Sequence, residues 1–173
     1  MLKRFFIYLI FPFVAFIFSD CRKVNYSFTG INIGDAKTIL ISNLFNNSGQ
    51  GPSNLSQNFT ESLKDYYQKN SPLKIVSGES DLILEGAITS YTYSPMAIGA
   101  NQAQQNRLTI TLVITFVNTK NDEQNLKNVT FSFYRDFDAN RSLSEIESSA
   151  DSNLKPIIDQ IIFDIFNKTV ANW

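Results

Sequence analysis

The sequence predicts an α+β domain: a mixed four-stranded sheet with two helices packed on one of its faces. Three observations lead there. Leu108, Ile110, Leu112, Ile114 and Phe116 alternate with Thr109, Thr111, Val113 and Thr115, the period-two pattern of a strand with one hydrocarbon face and one largely hydroxyl face. Leu55, Phe59, Leu63 and Tyr66 or Tyr67 recur about every four residues, and Leu154, Ile158, Ile161, Ile162, Ile165 and Phe166 form a second such stripe. Two one-sided helices need an apolar surface to cover, and a one-sided sheet supplies it.

In chain order, Lys37 to Phe45 (KTILISNLF) is the expected first strand, closed by Asn46-Asn47-Ser48-Gly49. Asn54 is placed to cap the first helix with Gln57 as its reciprocal partner, Glu61, Lys64 and Asp65 face water, and Asn70-Ser71-Pro72 stops it. A second extended region runs through Leu73-Lys74-Ile75-Val76, breaks at Ser77-Gly78-Glu79 and resumes from Asp81 to Tyr93. Strand, helix and strand in that order favour a crossover that lays the two strands parallel. Residues 94–106 read as a 13-residue loop carrying Pro95, Met96 and Ile98. Apolar side chains in a long polar loop either meet a partner or tuck onto the domain's own core. Arg107 to Val117 and Leu126 to Phe137 are strands joined by a turn over 118–125, completing an antiparallel meander. Ser142 opens the second helix with Glu145 at the capping-box position, and Pro156 either kinks that helix or restarts it.

Ahead of this domain, Lys3 and Arg4 precede an uncharged aromatic and aliphatic run from Phe5 to Phe18, followed by Ser19-Asp20-Cys21. A run of about 14 residues is short of the roughly 20 that span a bilayer, and its basic flank fits a removable leader. A cysteine at the expected cut reads as a bacterial lipoprotein processing site, although Asp20 stands where such sites usually carry Gly, Ala or Ser. Cys21 is the only cysteine and so cannot form an internal disulfide; acylation would cap it and anchor the chain. The division expected is a signal peptide over 1–20, a lipidated tether over 21–35 and the α+β domain over 36–173. Tyr26-Ser27-Phe28-Thr29-Gly30 is the distinctive part of the tether, with two aromatics able to pin the chain.

Composition narrows the function classes. Hydrophobic residues make up 43% and aromatics 13%, the balance of a folded protein. Setting aside Lys3, Arg4 and Asp20 leaves 13 basic and 15 acidic residues, so nothing draws a polyanion globally and nucleic acid is not an expected partner. The chain has no histidine, which removes the commonest general base and zinc ligand. Asp136, Asp138, Glu145 and Glu147 are the dense acidic group, better explained as a strand end and a helix start than as a calcium or acid-base site. With no phosphate loop and no serine-based motif, an enzyme is not expected and no cofactor is implied.

Certain stretches resemble a known family. Tyr26-Ser27-Phe28-Thr29-Gly30 after the cysteine, Leu55 to Asp65 (LSQNFTESLKD), Ser94-Pro95-Met96-Ala97-Ile98, Asn106 to Thr111 (NRLTIT) and the ending Asp164 to Trp173 are similar to the LptE family of lipopolysaccharide-assembly lipoproteins. The likeness runs over essentially the whole mature chain. It implies a palmitate-bearing, periplasm-facing outer-membrane lipoprotein that plugs an LptD-type β-barrel and assists lipopolysaccharide transport. A water-filled lumen is met by shape and polar contact, which suits a threonine-rich sheet face. Lipid A phosphates would call for a basic cluster, and Arg107, Lys74 and Lys127 are candidates scattered in sequence. A periplasm-facing scaffold or activator of a cell-wall enzyme is the rival reading.

Overall fold

Alternation converts directly into a layered architecture. The computed structural model describes residues 33–96 and 104–171. The expected leader, Cys21 and the tether through residue 32 lie outside the described residues, as does Ile98. The sheet has six strands rather than the expected four: β1 (Thr38–Ile41), β2 (Phe45–Asn46), β3 (Lys74–Ile75), β4 (Leu82–Pro95), β5 (Gln105–Asn118) and β6 (Leu126–Asp138). Its order is β3-β1-β4-β5-β6, with β2 beside β4 farther along. β1 runs parallel to β3 and β4, and β2 is parallel to β4. β4, β5 and β6 form the antiparallel meander. The mixed sheet, the parallel pairing around the first helix and the meander are as the sequence led us to expect.

The first strand is broken because Leu44 turns inward. It is buried, and its N–H is taken by Thr60 Oγ1 on the first helix at 3.0 Å instead of by the sheet. The foot of the sheet is tied by Asp81, whose carboxylate accepts from the N–H of Lys37 and of Thr38 and from the Thr38 hydroxyl at 2.9, 3.1 and 3.0 Å. Lys120 adds an ion pair at 3.3 Å. These partners, first among them the Lys37 N–H, hold the Asp81 carboxyl down at about 2.

The helices cover one face only. Helix α1 (Leu55–Asn70) buries Leu55, Phe59, Leu63 and Tyr67, which settles the stripe on Tyr67 rather than Tyr66. The expected Asn54 cap is absent: its side chain makes no capping hydrogen bond, and Gln57 donates to Glu61 instead. The Leu55 N–H goes to the Pro52 carbonyl at 3.0 Å, so a backbone turn leads into the helix where a side-chain cap was expected. The second helical region falls into α2 (Leu143–Ser148), α3 (Ala150–Asn153) and α4 (Lys155–Thr169). Ser142 and Glu145 form the expected capping box. Pro156 restarts the helix: it sits in the first turn of α4, where a missing N–H costs nothing. Arg135 of β6 donates to the Ser152 carbonyl at 3.1 Å, satisfying an end of α3.

A bulge in β4 changes which face its side chains take. The register passes from Ile88 opposite Leu112 to Ser90 opposite Thr111, leaving Thr89 extra. Below it Leu82, Leu84 and Ile88 point into the core; above it Tyr91 does. The Tyr91 ring packs close under Gly51, whose φ of +88° and missing Cβ allow the approach. Burial, with the negative charge of nearby Glu147 added, pushes the Tyr91 phenol up.

Candidate interaction surface on the open face of the sheet

The face away from the helices is built of cross-strand rows, each set by register. From the foot upward, Ile83 lies opposite Val117, and Glu85 opposite Thr115. Phe45, Ala87, Val113 and Thr130 then form a row across four strands. Above the bulge come Ser90, Thr111 and Ser132, then Thr92, Thr109 and Tyr134, and finally Ser94, Arg107 and Asp136. The face is therefore zoned: mixed in its lower half, where the apolar Ile83–Val117 and Phe45–Ala87–Val113 rows flank Glu85 and Thr115, hydroxyl-bearing above, and ionic at the upper end.

The hydroxyl zone is partly wired across strands, with Thr111 and Ser132 hydroxyls 3.0 Å apart. At the ionic end Arg107 makes a two-pronged pair with Asp136, Nε to Oδ1 at 2.7 Å and Nη2 to Oδ2 at 2.8 Å. The guanidinium also lies 3.5 Å from the centroid of the Tyr134 ring. This pairing holds the Asp136 carboxyl below the usual range and raises the Arg107 guanidinium. The zone thus presents a planar, charge-balanced plate. Around the apolar row, Phe45, Ala87, Val113 and Thr115 line a shallow depression of about 560 Å³ in which Glu85 is the charged group. Phe45 is 68% exposed.

The candidate side chains do not converge. Arg107 is committed to Asp136, while Lys74 on β3 and Lys127 on β6 lie at opposite edges of the sheet. Four strand spacings separate those edges, roughly 19 Å, so the three cations form no phosphate site. In the acidic group Asp136 serves Arg107 and Glu145 serves the capping box. Among the described residues no three or more carboxylates gather to hold a metal ion. The expected 94–106 loop is shorter than its sequence indicated: β4 continues through Pro95, β5 begins at Gln105, and the Met96 N–H donates to the Gln105 carbonyl at 2.8 Å. Pro95 is tolerated because it ends its strand beyond the reach of β2. Pro95 is exposed and Met96 half-buried at the hairpin tip. Phe45, the most exposed large hydrophobic residue described, carries no signal of this in the sequence, where it closes an apolar run that reads as ordinary core.

Residues 36–169 match the model of the LptE family, described as lipopolysaccharide-assembly. The chain belongs to the LptE family. The match spans every strand and helix described and makes the protein a non-enzymatic component of lipopolysaccharide assembly. No curated protein sequence matches the chain. Among solved structures, the LptE-type domain is similar to the hypothetical protein CT253 from Chlamydia trachomatis at 7% identity and a TM-score of 0.50, over 79% of this chain and 99% of that one. It is similar to protein XCC0632 from Xanthomonas campestris at 12% identity and a TM-score of 0.50, over 75% and 81% of the two chains. Rare lipoprotein B from Shewanella oneidensis aligns at 13% identity and a TM-score of 0.48, over 76% of this chain and 90% of that one. At such identities the first two show a shared fold.

Proposed function

We propose that this LptE-family protein is an outer-membrane lipoprotein that plugs an LptD-type β-barrel and assists the passage of lipopolysaccharide to the cell surface. The observation that carries the reading is the open sheet face in a chain of this family. Three successive rows of hydroxyl and paired ionic groups, from Ser90 to Asp136, offer a flat polar surface without any net charge from their one ion pair. Such a surface exchanges water hydrogen bonds for contacts with a polar lumen at little desolvation cost, and needs no reactive group. Among the described residues no helix is long and apolar enough to cross a membrane. In this reading residues 1–20 are removed, Cys21 is acylated, and the domain faces the periplasm. The segment 94–106, with Pro95, Met96 and Ile98, is a contact element for the barrel or for lipid.

The test is affinity purification of the tagged protein from detergent-solubilised outer membrane. A β-barrel of large mass in stoichiometric yield is the expected result; recovery of a cell-wall synthase instead would overturn the plug in favour of a scaffold. Cys21→Ser is expected to abolish palmitate incorporation and release the chain from the membrane, and unchanged fractionation would remove the anchor. Deleting residues 96–103 is expected to weaken barrel recovery; full recovery with normal export would remove the tip from the contact surface.

A further inference from the structure

The sheet ends in strands of very unequal length. On one side lie the two-residue β2 and β3; on the other is β6, thirteen residues long, with no strand beyond it among the described residues. A long edge strand is a template for another strand, and proteins guard it with charge, proline or a bulge. Here the irregularity sits low, beside Asn128 with its φ of +52°, and the next charge is Arg135. Val129 to Tyr134 (VTFSFY) carries neither charge nor proline.

Register tells which main-chain groups face outward. The Ala139 N–H donates to the Gln104 carbonyl, so odd-numbered residues of β6 turn N–H and C=O toward β5 and even-numbered ones turn them away. Thr130, Ser132 and Tyr134 therefore present their main chain to the edge, where no described strand takes it. Phe131 and Phe133 lie on the helix face opposite Leu112 and Ile110. Those two β5 residues are fully buried, but the rings outside them are only half-buried, because the apolar rows stop at the edge.

We propose that the missing strand is β6 of a second copy, running antiparallel and centred on Ser132. The segment reads nearly the same in both directions: hydroxyl, phenylalanine, Ser132, phenylalanine, hydroxyl. An antiparallel strand of the same sequence sets Phe131 against the second copy's Phe133 on the helix face, and Thr130 against its Tyr134 on the open face. Three facing pairs, Ser132 with itself and Thr130 with Tyr134 twice, exchange about six main-chain hydrogen bonds. Charge fixes the register. Centred one residue lower, on Phe131, the strands would bring Lys127 against Arg135; centred one residue higher, Arg135 would displace Phe133 from Phe131. The Phe133 and Tyr134 rings, neighbours on opposite faces, stack at 5.9 Å and 22° by leaning around this edge. They shield it in a single copy and part as the second strand enters. The two-fold axis then stands perpendicular to a continuous sheet and puts both open faces on one surface. The pairing uses neither the anchor nor the barrel, so it stands apart from the plug reading.

The test is sedimentation equilibrium of the full-length protein, purified in detergent free of other polypeptides, across a wide range of concentration. A protein mass rising toward that of two copies is the expected result. Ser132→Lys sets two ammonium groups face to face at an exposed position, and should hold the protein at one copy throughout with its melting temperature unchanged. Oxidation reads the register. Ser132→Cys should form an intermolecular disulfide, because the two copies of that residue face each other at about 5.5 Å between Cα atoms. Thr130→Cys should give about tenfold less, since about 14 Å separates its two copies, and it carries the same Cys21 as an internal control. A single copy at every concentration, a doubling indifferent to Ser132→Lys, or equal disulfide yields would overturn the pairing. Barrel recovery from membranes is scored for Ser132→Lys as well. Its loss, without any doubling of the unchanged protein, would give the edge to the barrel and overturn the self-pairing.

Discussion

The clasp between the two main helices gives a prediction with a worked size. Thr169 Oγ1 donates to the Ile165 carbonyl of its own helix at 2.8 Å, so its single proton is spent and it accepts from the Tyr67 hydroxyl. Tyr67 is fully buried, which pushes its phenol up and leaves that hydroxyl no water to turn to. Tyr67→Phe keeps the edge-on packing against Phe166, at 5.1 Å between centroids, and leaves Thr169 with its donor satisfied. It should cost about 0.5–1.5 kcal/mol, one net hydrogen bond. Thr169→Val is nearly the same shape but strands the phenol in hydrocarbon, and should cost about 1–3 kcal/mol. The double substitution removes both polar groups together and should be more stable than Thr169→Val alone, because no unpaired group remains. Urea unfolding of the four proteins measures this directly, and in thermal melts each kcal/mol should appear as about 2–4 °C. The reasoning fails if Thr169→Val is no worse than Tyr67→Phe, or if the two effects simply add.

Other outcomes follow from the sheet. Asp81 has a folded-state pKa of about 2, below the usual carboxylate value. Its contribution is present above about pH 4 and lost as pH falls toward 2, so the melting temperature should drop across that window, and Asp81→Asn should melt lower at pH 7 with a shallower acid drop. Gly86→Ala would put a Cβ 2.6 Å from the Val113 carbonyl oxygen and 3.0 Å from Ile114 Cγ2, both held by the sheet. It should destabilise by about 1–3 kcal/mol in urea unfolding, and a neutral result would show that the β4–β5 spacing relaxes freely. Arg107→Ala should lower stability only slightly in urea unfolding, since the pair is part-exposed and solvent-screened. The same change should return the Asp136 carboxyl upward in an NMR titration, because Arg107 is the main cause of its depression. An unmoved Asp136 would show that the pair does not persist in solution.

Much of the fold was legible in residue order. Period-two runs marked β5 and β6, four-residue stripes marked α1 and α4, and Ser142 with Glu145 marked the start of α2, since each signal is local and rests on the geometry of one element. The failures share a cause. Leu44 left the first strand for a partner sixteen residues away, the turn at Pro52 displaced the Asn54 cap, and Ser94 and Pro95, expected in the loop, close the end of β4. In each case a partner elsewhere in the chain, the Thr60 hydroxyl, the Pro52 carbonyl or the facing strand β5, decided what a local preference left open.

For the interaction surface the division is sharper. By itself the sequence determined that a one-sided sheet would be left with a hydroxyl face, that histidine chemistry was absent, and that the chain resembles LptE, because composition and motif survive without coordinates. Only the tertiary structure decided how that face is zoned. The bulge at Thr89 exchanges the two faces of β4, register brings Phe45 level with Ala87 and Val113, and Arg107 finds Asp136 across the hairpin. Those are pairings between strands, and a slip of one residue would have sent every side chain to the other face.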